Sequence, residues 1–268
     1  MSAVSRDTRA ALRREVEAQI TNLSLAIAEE VLAVATLLAG DKSLRTALAD
    51  AGQPVQMRES LLKDLFGSRL QPTSVSLLLS AVRSRWSDAD ELLDAVEELG
   101  VIVAFCAAEN DGTLDRVEEE LFRFGRAVEA NPSLQMTLTD PALAPAGKAA
   151  VVKDLVAAAA APATTVVLTH IAANLRGRRV DAAVDSLSNL AAAQRERIVA
   201  QVRVAIELSA EQRERMARAL ARLAGRDVRL NIAVDPSVVG GASVRIGDDV
   251  IDGTMVTRLT QARRTLVG

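Results

Sequence analysis

The side chains able to do acid–base, nucleophilic or metal chemistry are few and scattered. His170 is the only histidine and Cys106 the only cysteine in 268 residues. A metal site needs further ligands at fixed spacing, and general acid–base work needs a partner that sets the charge of the imidazole. No such companions flank His170, so a structural or exposed role is expected. Cys106 lies among Phe105, Ala107 and Ala108, which predicts a packed core thiol. A single cysteine excludes an intrachain disulfide and suits a reducing compartment. One histidine and no elbow motif give a Ser–His–Asp arrangement no support.

Other segments imitate binding motifs. Ala146-Gly147-Lys148 is like a phosphate loop, but residue 142 is Ala where the first Gly belongs and Ala149 replaces Ser or Thr. Lys148 and Lys153 fit a solvated helix face instead. Gly240-Gly241 suits a bulge or hinge in a sheet better than a phosphate cradle, because no helix follows directly. Gly247-Asp248-Asp249 with Asp252 is too short for a calcium loop and fits a hairpin turn. Arg176-Gly177-Arg178-Arg179 could meet nucleic acid or lipid, yet lacks interleaved aromatics, and a solvated inter-helix turn is favoured. Trp86 beside Arg85 reads equally as a surface anchor or a partly buried bundle residue. No catalytic, cofactor or metal residue is therefore expected.

Composition points the same way. Net charge is −3 and aromatics are 2% of residues, which disfavours nucleic-acid binding and ring-lined small-molecule pockets. The 49% hydrophobic content is enough for a real core, and frequent Ala and Arg favour helix. Residues 1–16 are charged and do not read as a secretory signal. Leu23–Ala39 is interrupted by Glu29 and Glu30, and Leu155–Leu168 by Pro162. Neither supplies the ~18 uninterrupted apolar residues of a membrane span.

The elements that must position these residues come twice. Ser43, Leu44, Leu48, Asp50, Lys63, Asp64, Leu65 and Pro72 fall on Ser133, Leu134, Leu138, Asp140, Lys153, Asp154, Leu155 and Pro162, each 90 residues on. Beyond Pro72 one residue of slip brings Asp94 and Leu99 onto Asp185 and Leu190. Such self-similarity means one structural unit used twice. Leu23, Ile27, Val31, Val34 and Leu38 recur at helical spacing, as do Val117, Leu121, Phe124 and Val128. Gly40-Asp41 and Asn131-Pro132 are matching turn signals, and Gly112-Thr113 opens a helix carrying Glu118, Glu119 and Glu120. The expected fold is mainly α: two tandem helical bundles, residues 1–100 and 101–195, followed by a small α/β domain at 196–268.

In that last third the period becomes two. Ile198 to Leu208 alternates as a half-buried strand, and Val228, Leu230, Ile232 and Val234 form a second. Between them Ser209 and Gln212 make a capping box, Met216, Leu220 and Leu223 line a helix, and Gly225 stops it. Ala242, Val244 and Ile246 alternate, and Val250-Ile251 returns as a short strand. Val256, Leu259 and Leu266 mark the apolar face of a last helix after Gly253.

The run VVGGASVRIGDDVIDGTMVTRLTQARRTL resembles the C-terminal signature of the ATP synthase delta subunit family, which includes the oligomycin-sensitivity-conferring protein. The matching positions are Gly240, Gly241, Val244, Gly247, Asp248, Ile251, Asp252, Gly253 and Leu259. Asn131–Leu155 resembles the helical-domain motif of the family, and Ala104–Leu121 its opening helix. The resemblance covers about residues 95–268; the extra copy in front departs from the common pattern and is similar to long delta chains of some high-GC Gram-positive bacteria, where delta can be fused to subunit b. No membrane helix of subunit b reads in this chain, so that subunit is expected separately.

The resemblance implies a non-catalytic stator of a rotary, proton-translocating ATP synthase, peripheral at the cytoplasmic face of the plasma membrane. The implied partners are the N-termini of the alpha subunits, with beta left open as a further contact, and subunit b, near which Val256, Leu259 and Leu266 would pack. Neither a nucleic acid nor a cofactor is implied. The alternative is a helical-repeat adaptor unrelated to ATP synthesis, which explains the duplication but not the glycine-and-acid signature.

Overall fold

The computed structural model describes residues 3–18, 23–156, 159–195, 198–224, 228–235, 238, 241–246 and 249–252. The chain divides into two compact units, Met1–Arg195 and Glu196–Gly268. The first is helical: α1 (Ala3–Ala18), α2 (Leu25–Gly40), α3 (Lys42–Ala49), α4 (Val55–Phe66), α5 (Pro72–Arg83), α6 (Ala89–Asn110), α7 (Leu114–Ala130), α8 (Pro132–Thr139), α9 (Pro145–Val156), α10 (Pro162–Ala173) and α11 (Val180–Arg195).

The 90-residue offset reappears in the helix bounds. α3, α4 and α5 begin and end 90 residues before α8, α9 and α10. The local reasons repeat too. The Asp41 side chain accepts from the Leu44 amide at 2.9 Å, as the Asn131 side chain does from Leu134 at 3.2 Å, so each copy caps its eight-residue helix, α3 or α8, in the same way. Asp50 accepts from the Gly52 amide and Asp140 from Ala142, both at 2.8 Å, shaping the following turn.

Residues 100 and 101, where the sequence divides its two copies, both lie within α6. This helix packs against α1, α2, α3 and α5 and also against α7, α10 and α11. It is buried round most of its circumference, from Leu92 and Leu93 through Val96, Leu99, Val103, Phe105 and Cys106. A helix apolar on every side has to be wrapped by neighbours. In the arrangement of packed pairs, α6 closes the first copy as α11 closes the second, and it opens the second as α1 opens the first. One apolar core runs through all eleven of these helices.

Close approach makes the α2–α6 contact. A Cβ at Gly100 would sit 2.6 Å from Leu32 Cδ2 and 2.7 Å from its Cγ, so only glycine lets the two helices come this near.

The second unit holds β1 (Ile198–Val204), α12 (Ala210–Ala224), β2 (Val228–Val234), β3 (Ala242–Ile246) and β4 (Asp249–Asp252), with strand order β2-β1-β3-β4. β1 and β2 are parallel, which requires a crossover connection, and α12 supplies it. β1–β3 and β3–β4 are antiparallel. Val202, Val204, Leu220, Val228 and Val244 form its core. The capping box is present: Gln212 Oε1 accepts from the Ser209 amide at 2.8 Å, and Ser209 Oγ from the Gln212 amide at 3.2 Å. Strand alternation was expected as far as Leu208, but β1 stops at Val204 and Ile206 is 75% exposed. The reason is pairing. Val204 is opposite Val234 and Ala242, the last residue of β2 and the first of β3, so among the described residues neither ladder continues beyond it.

Gly100→Ala should cost about 1–3 kcal/mol of unfolding free energy through overpacking against Leu32. Gly125→Ala is the contrast: its Cβ would meet only Val184 Cγ1 at 3.4 Å. Relief of helical glycine should leave that variant neutral or up to about 1 kcal/mol more stable. Urea unfolding of both variants checks the pair.

Candidate functional site

The signature run is partly described. Gly241 has φ +80°, a left-handed conformation that favours glycine, immediately before β3. Val244 is buried at the centre of the sheet, opposite Val202 on β1 and Ile251 on β4. Asp252 pairs with Ser243 across the β3–β4 ladder. Ile251 and Asp252 therefore lie within β4, which runs Asp249–Asp252 and is longer than the Val250-Ile251 pair that alternation suggests. Gly240, Gly247, Asp248, Gly253, Val256, Leu259 and Leu266 lie outside the described residues.

The imitations of binding motifs resolve into packing. Ala146-Gly147-Lys148 forms part of the first turn of α9, with Lys148 half-buried and Lys153 exposed. Cys106 is fully buried, with the Gln194 side chain 3.6 Å from its sulfur. Trp86 is buried and donates from Nε1 to the Ala81 carbonyl at 2.8 Å. His170 is on α10 with a nearly buried ring; Nδ1 is 3.5 Å from Thr36 Oγ1 and Nε2 is 3.6 Å from Glu97 Oε2.

The arginine cluster does form the turn between α10 and α11, but it is not simply solvated. Arg178 grips Glu97 with both ends of its guanidinium, at 2.7 and 3.1 Å, and Arg176 reaches the same carboxylate at 3.1 Å. Burial alone would push the Glu97 carboxyl up. The contacts from His170, Arg178 and Arg176 outweigh burial and bring it down to about 2. Acids on α6, remote in sequence, satisfy the charge that read as free.

A second pair of carboxylates escaped sequence reading altogether. Glu30 on α2 accepts from the Gln71 amide at 2.9 Å and from Ser74 Oγ at 2.5 Å. Ninety residues on, Glu120 on α7 accepts from the Ala161 amide at 2.8 Å and from Thr164 Oγ1 at 2.6 Å. Gln71 and Ala161 are the residues before α5 and α10, and neither makes a side-chain cap of its own. Each carboxylate therefore caps a neighbouring helix from outside, where the helix dipole favours negative charge. Burial raises both carboxyls, but these hydrogen bonds outweigh it and hold them below the ordinary value. The equal spacing Glu30–Ser74 and Glu120–Thr164 was the available signal.

The first unit also exposes large apolar side chains. Met57 and Leu65 on α4 lie on one stripe with Leu61, beside an open groove that Thr46 and Ala47 of α3 complete. In the second copy Phe122, Met136 and Leu155 are exposed. Such side chains suit a groove-and-helix contact rather than a reaction.

Glu97 makes stability depend on acid. A carboxyl lowered on folding stabilises fully above its unfolded value, near 4.5, and the contribution is lost as pH falls toward 2. Glu97→Gln should therefore remove roughly 3 kcal/mol of stability at neutral pH and flatten the decline between those pH values. Urea midpoints measured across that range test this, and parallel curves for the two proteins would refute it.

A family model described as ATP synthase delta (OSCP) subunit matches residues 103–266. Over nearly its whole length the chain is similar to ATP synthase subunit delta of Streptomyces avermitilis, 42% identical over 265 residues that cover 98% of this chain and 97% of the relative. The delta subunit of Streptomyces griseus is 40% identical over 271 residues, covering 100% of each. That of Nocardia farcinica is 39% identical, covering 99% of this chain and 100% of the relative. The family match starts inside α6, whereas these relatives also span the first copy. An unrelated helical-repeat adaptor would not be matched through the C-terminal unit in this way, and the chain belongs to the ATP synthase delta (OSCP) subunit family.

Proposed function

We propose that the chain is a static link in the peripheral stalk of a rotary, proton-translocating ATP synthase, holding its catalytic head to subunit b so that the head does not turn. The observation that carries this reading is kinship with delta subunits over the whole chain. The task is mechanical, and no bond is made or broken by this subunit. Attachment to the membrane runs through partners in this reading; among the described residues no helix is long and apolar enough to cross a membrane. The complex sits with this subunit on the cytoplasmic face of the plasma membrane.

Residues 101–195 form the copy that receives the N-terminal helices of the alpha subunits, with beta as a further contact. This copy carries the matched part of the helical region. Residues 1–100 form an added bundle, and residues 196–268 grip subunit b, with Val256, Leu259 and Leu266 packing near that contact and the signature glycines and acids shaping its fold. Helix-in-groove binding suits such joints, because buried apolar anchors give slow dissociation.

The test uses the intact chain, since α6 belongs to both copies. Phe122→Ser, Met136→Ser and Leu155→Ser together should weaken binding of an alpha N-terminal peptide at least about tenfold, at roughly 1–2 kcal/mol per anchor that is truly buried. Met57→Ser with Leu65→Ser should leave it unchanged. Titration by calorimetry decides, and the reverse pattern would assign the head to the first copy.

A further inference from the structure

Two bundles that share one helix retain a rotation about it, and only contacts off the α6 axis can oppose that rotation. α2 of the first copy and α10 of the second meet off this axis. Asn174 Nδ2 donates to Thr36 Oγ1 at 3.1 Å, and His170 Nδ1 lies 3.5 Å from the same hydroxyl. Just beside this contact, Glu97 on α6 collects Arg176, Arg178 and the His170 ring, and its side chain is only 8% exposed. Arg178 in turn donates to the carbonyls of Leu175 and Asn174, fixing the end of α10. Arg176 continues to Asp94 at 2.8 Å, and Asp94 and Glu98 are both held by Arg9 of α1. The chain of contacts thus runs α1–α6–turn–α10–α2, crossing from one copy to the other.

The repeat separates two sets of polar contacts. Residues that hold a copy together recur at the offset: Glu30 with Glu120, Asp41 with Asn131, Asp50 with Asp140. The network residues do not. Thr36 falls on Arg126 and His170 on Ser80, and Glu97, taken in the helix that closes the first copy, falls on Ser188. These unrepeated side chains meet where α10 of the second copy touches α2 of the first. Arg176 moreover has φ +51°, an unusual backbone for a side chain of its kind, adopted in the turn that aims it and Arg178 at Glu97.

We propose that the contact of Thr36 with Asn174 and His170, held in place by Glu97 through Arg176, Arg178 and the His170 ring, forms a latch that locks α10 of the second repeat copy against α2 of the first and removes the hinge about α6. The latch is a property of the isolated chain, so its test stands or falls separately from the stator reading.

Hydrogen exchange of the full-length chain, followed by mass spectrometry, compares wild type with Glu97→Gln. Opening of the latch should raise exchange in residues 170–180 and in residues 32–40 of α2 at least about tenfold more than in α4 and α9, which report the general loss of stability. Unchanged exchange at both segments overturns the proposal. A uniform rise across all helices also overturns it, because that is general loss of stability rather than release of a junction. Thr36→Val keeps the side-chain volume and leaves Glu97 paired; it should raise exchange in the same two segments by a smaller factor, and no rise there overturns the α2–α10 arm. If Glu97→Gln does not fold, Arg178→Lys with Thr36→Val carries the same comparison, and wild-type exchange in that pair overturns the latch.

Discussion

Burial of α6 on nearly every side is the constraint from which the first unit follows. Its residues from Leu92 to Ala108 are almost continuously buried, so neighbours are required all round it. One copy of the repeat can cover only part of that circumference, leaving an apolar stripe that a second copy covers. Duplication and sharing are thus one solution: the helix that closes the first bundle opens the second, and a single core results. Gly100 marks how tight this wrapping is, since the α2 backbone and the Leu32 side chain occupy the space a methyl group would take.

Polar groups divide into two classes within this core. Glu30 and Glu120 satisfy helix N-termini that their own cap residues leave open, once in each copy. They hold α2 to α5 and α7 to α10 and are indifferent to the other copy. Glu97 is different, because a buried carboxylate without partners would cost several kcal/mol, and its cations come from a turn in the second copy. Docking of the α10–α11 turn on α6 and satisfaction of that charge are therefore the same event.

Much of this was legible in the sequence, wherever the signal was local. The 90-residue offset, the turns at Gly40-Asp41 and Asn131-Pro132, the capping box at Ser209 and the two-residue period of β1 and β2 all depend on neighbours in the chain. The double role of α6 was not legible, because periodicity reports an apolar face without saying how many partners cover it. Glu30 and Glu120 were hidden for a related reason: their hydrogen-bond partners lie 41 and 44 residues away. The arginine turn looked solvated because its counter-charges, Asp94 and Glu97, stand about 80 residues upstream. The end of β1 was set by its ladder partners, not by its own alternation. Gly241, one of the signature residues, takes a left-handed backbone conformation ahead of β3.

Stiffness in such a link has to come from directional contacts. Apolar burial supplies most of the stabilisation, but it is non-directional and changes little when two helices slide or rotate by a small angle. Hydrogen bonds to a buried carboxylate weaken steeply with misalignment, and in a low-dielectric setting each lost contact is costly. A bidentate guanidinium is the extreme case, since its two parallel bonds fix an orientation as well as a distance. Arg178 on Glu97 fixes the end of α10, and the Thr36–Asn174 contact beside it, which joins α10 to α2 off the α6 axis, is where an angular restraint against rotation about α6 can act. The core therefore determines that the two copies stay together, and the polar junction determines the angle at which they do so.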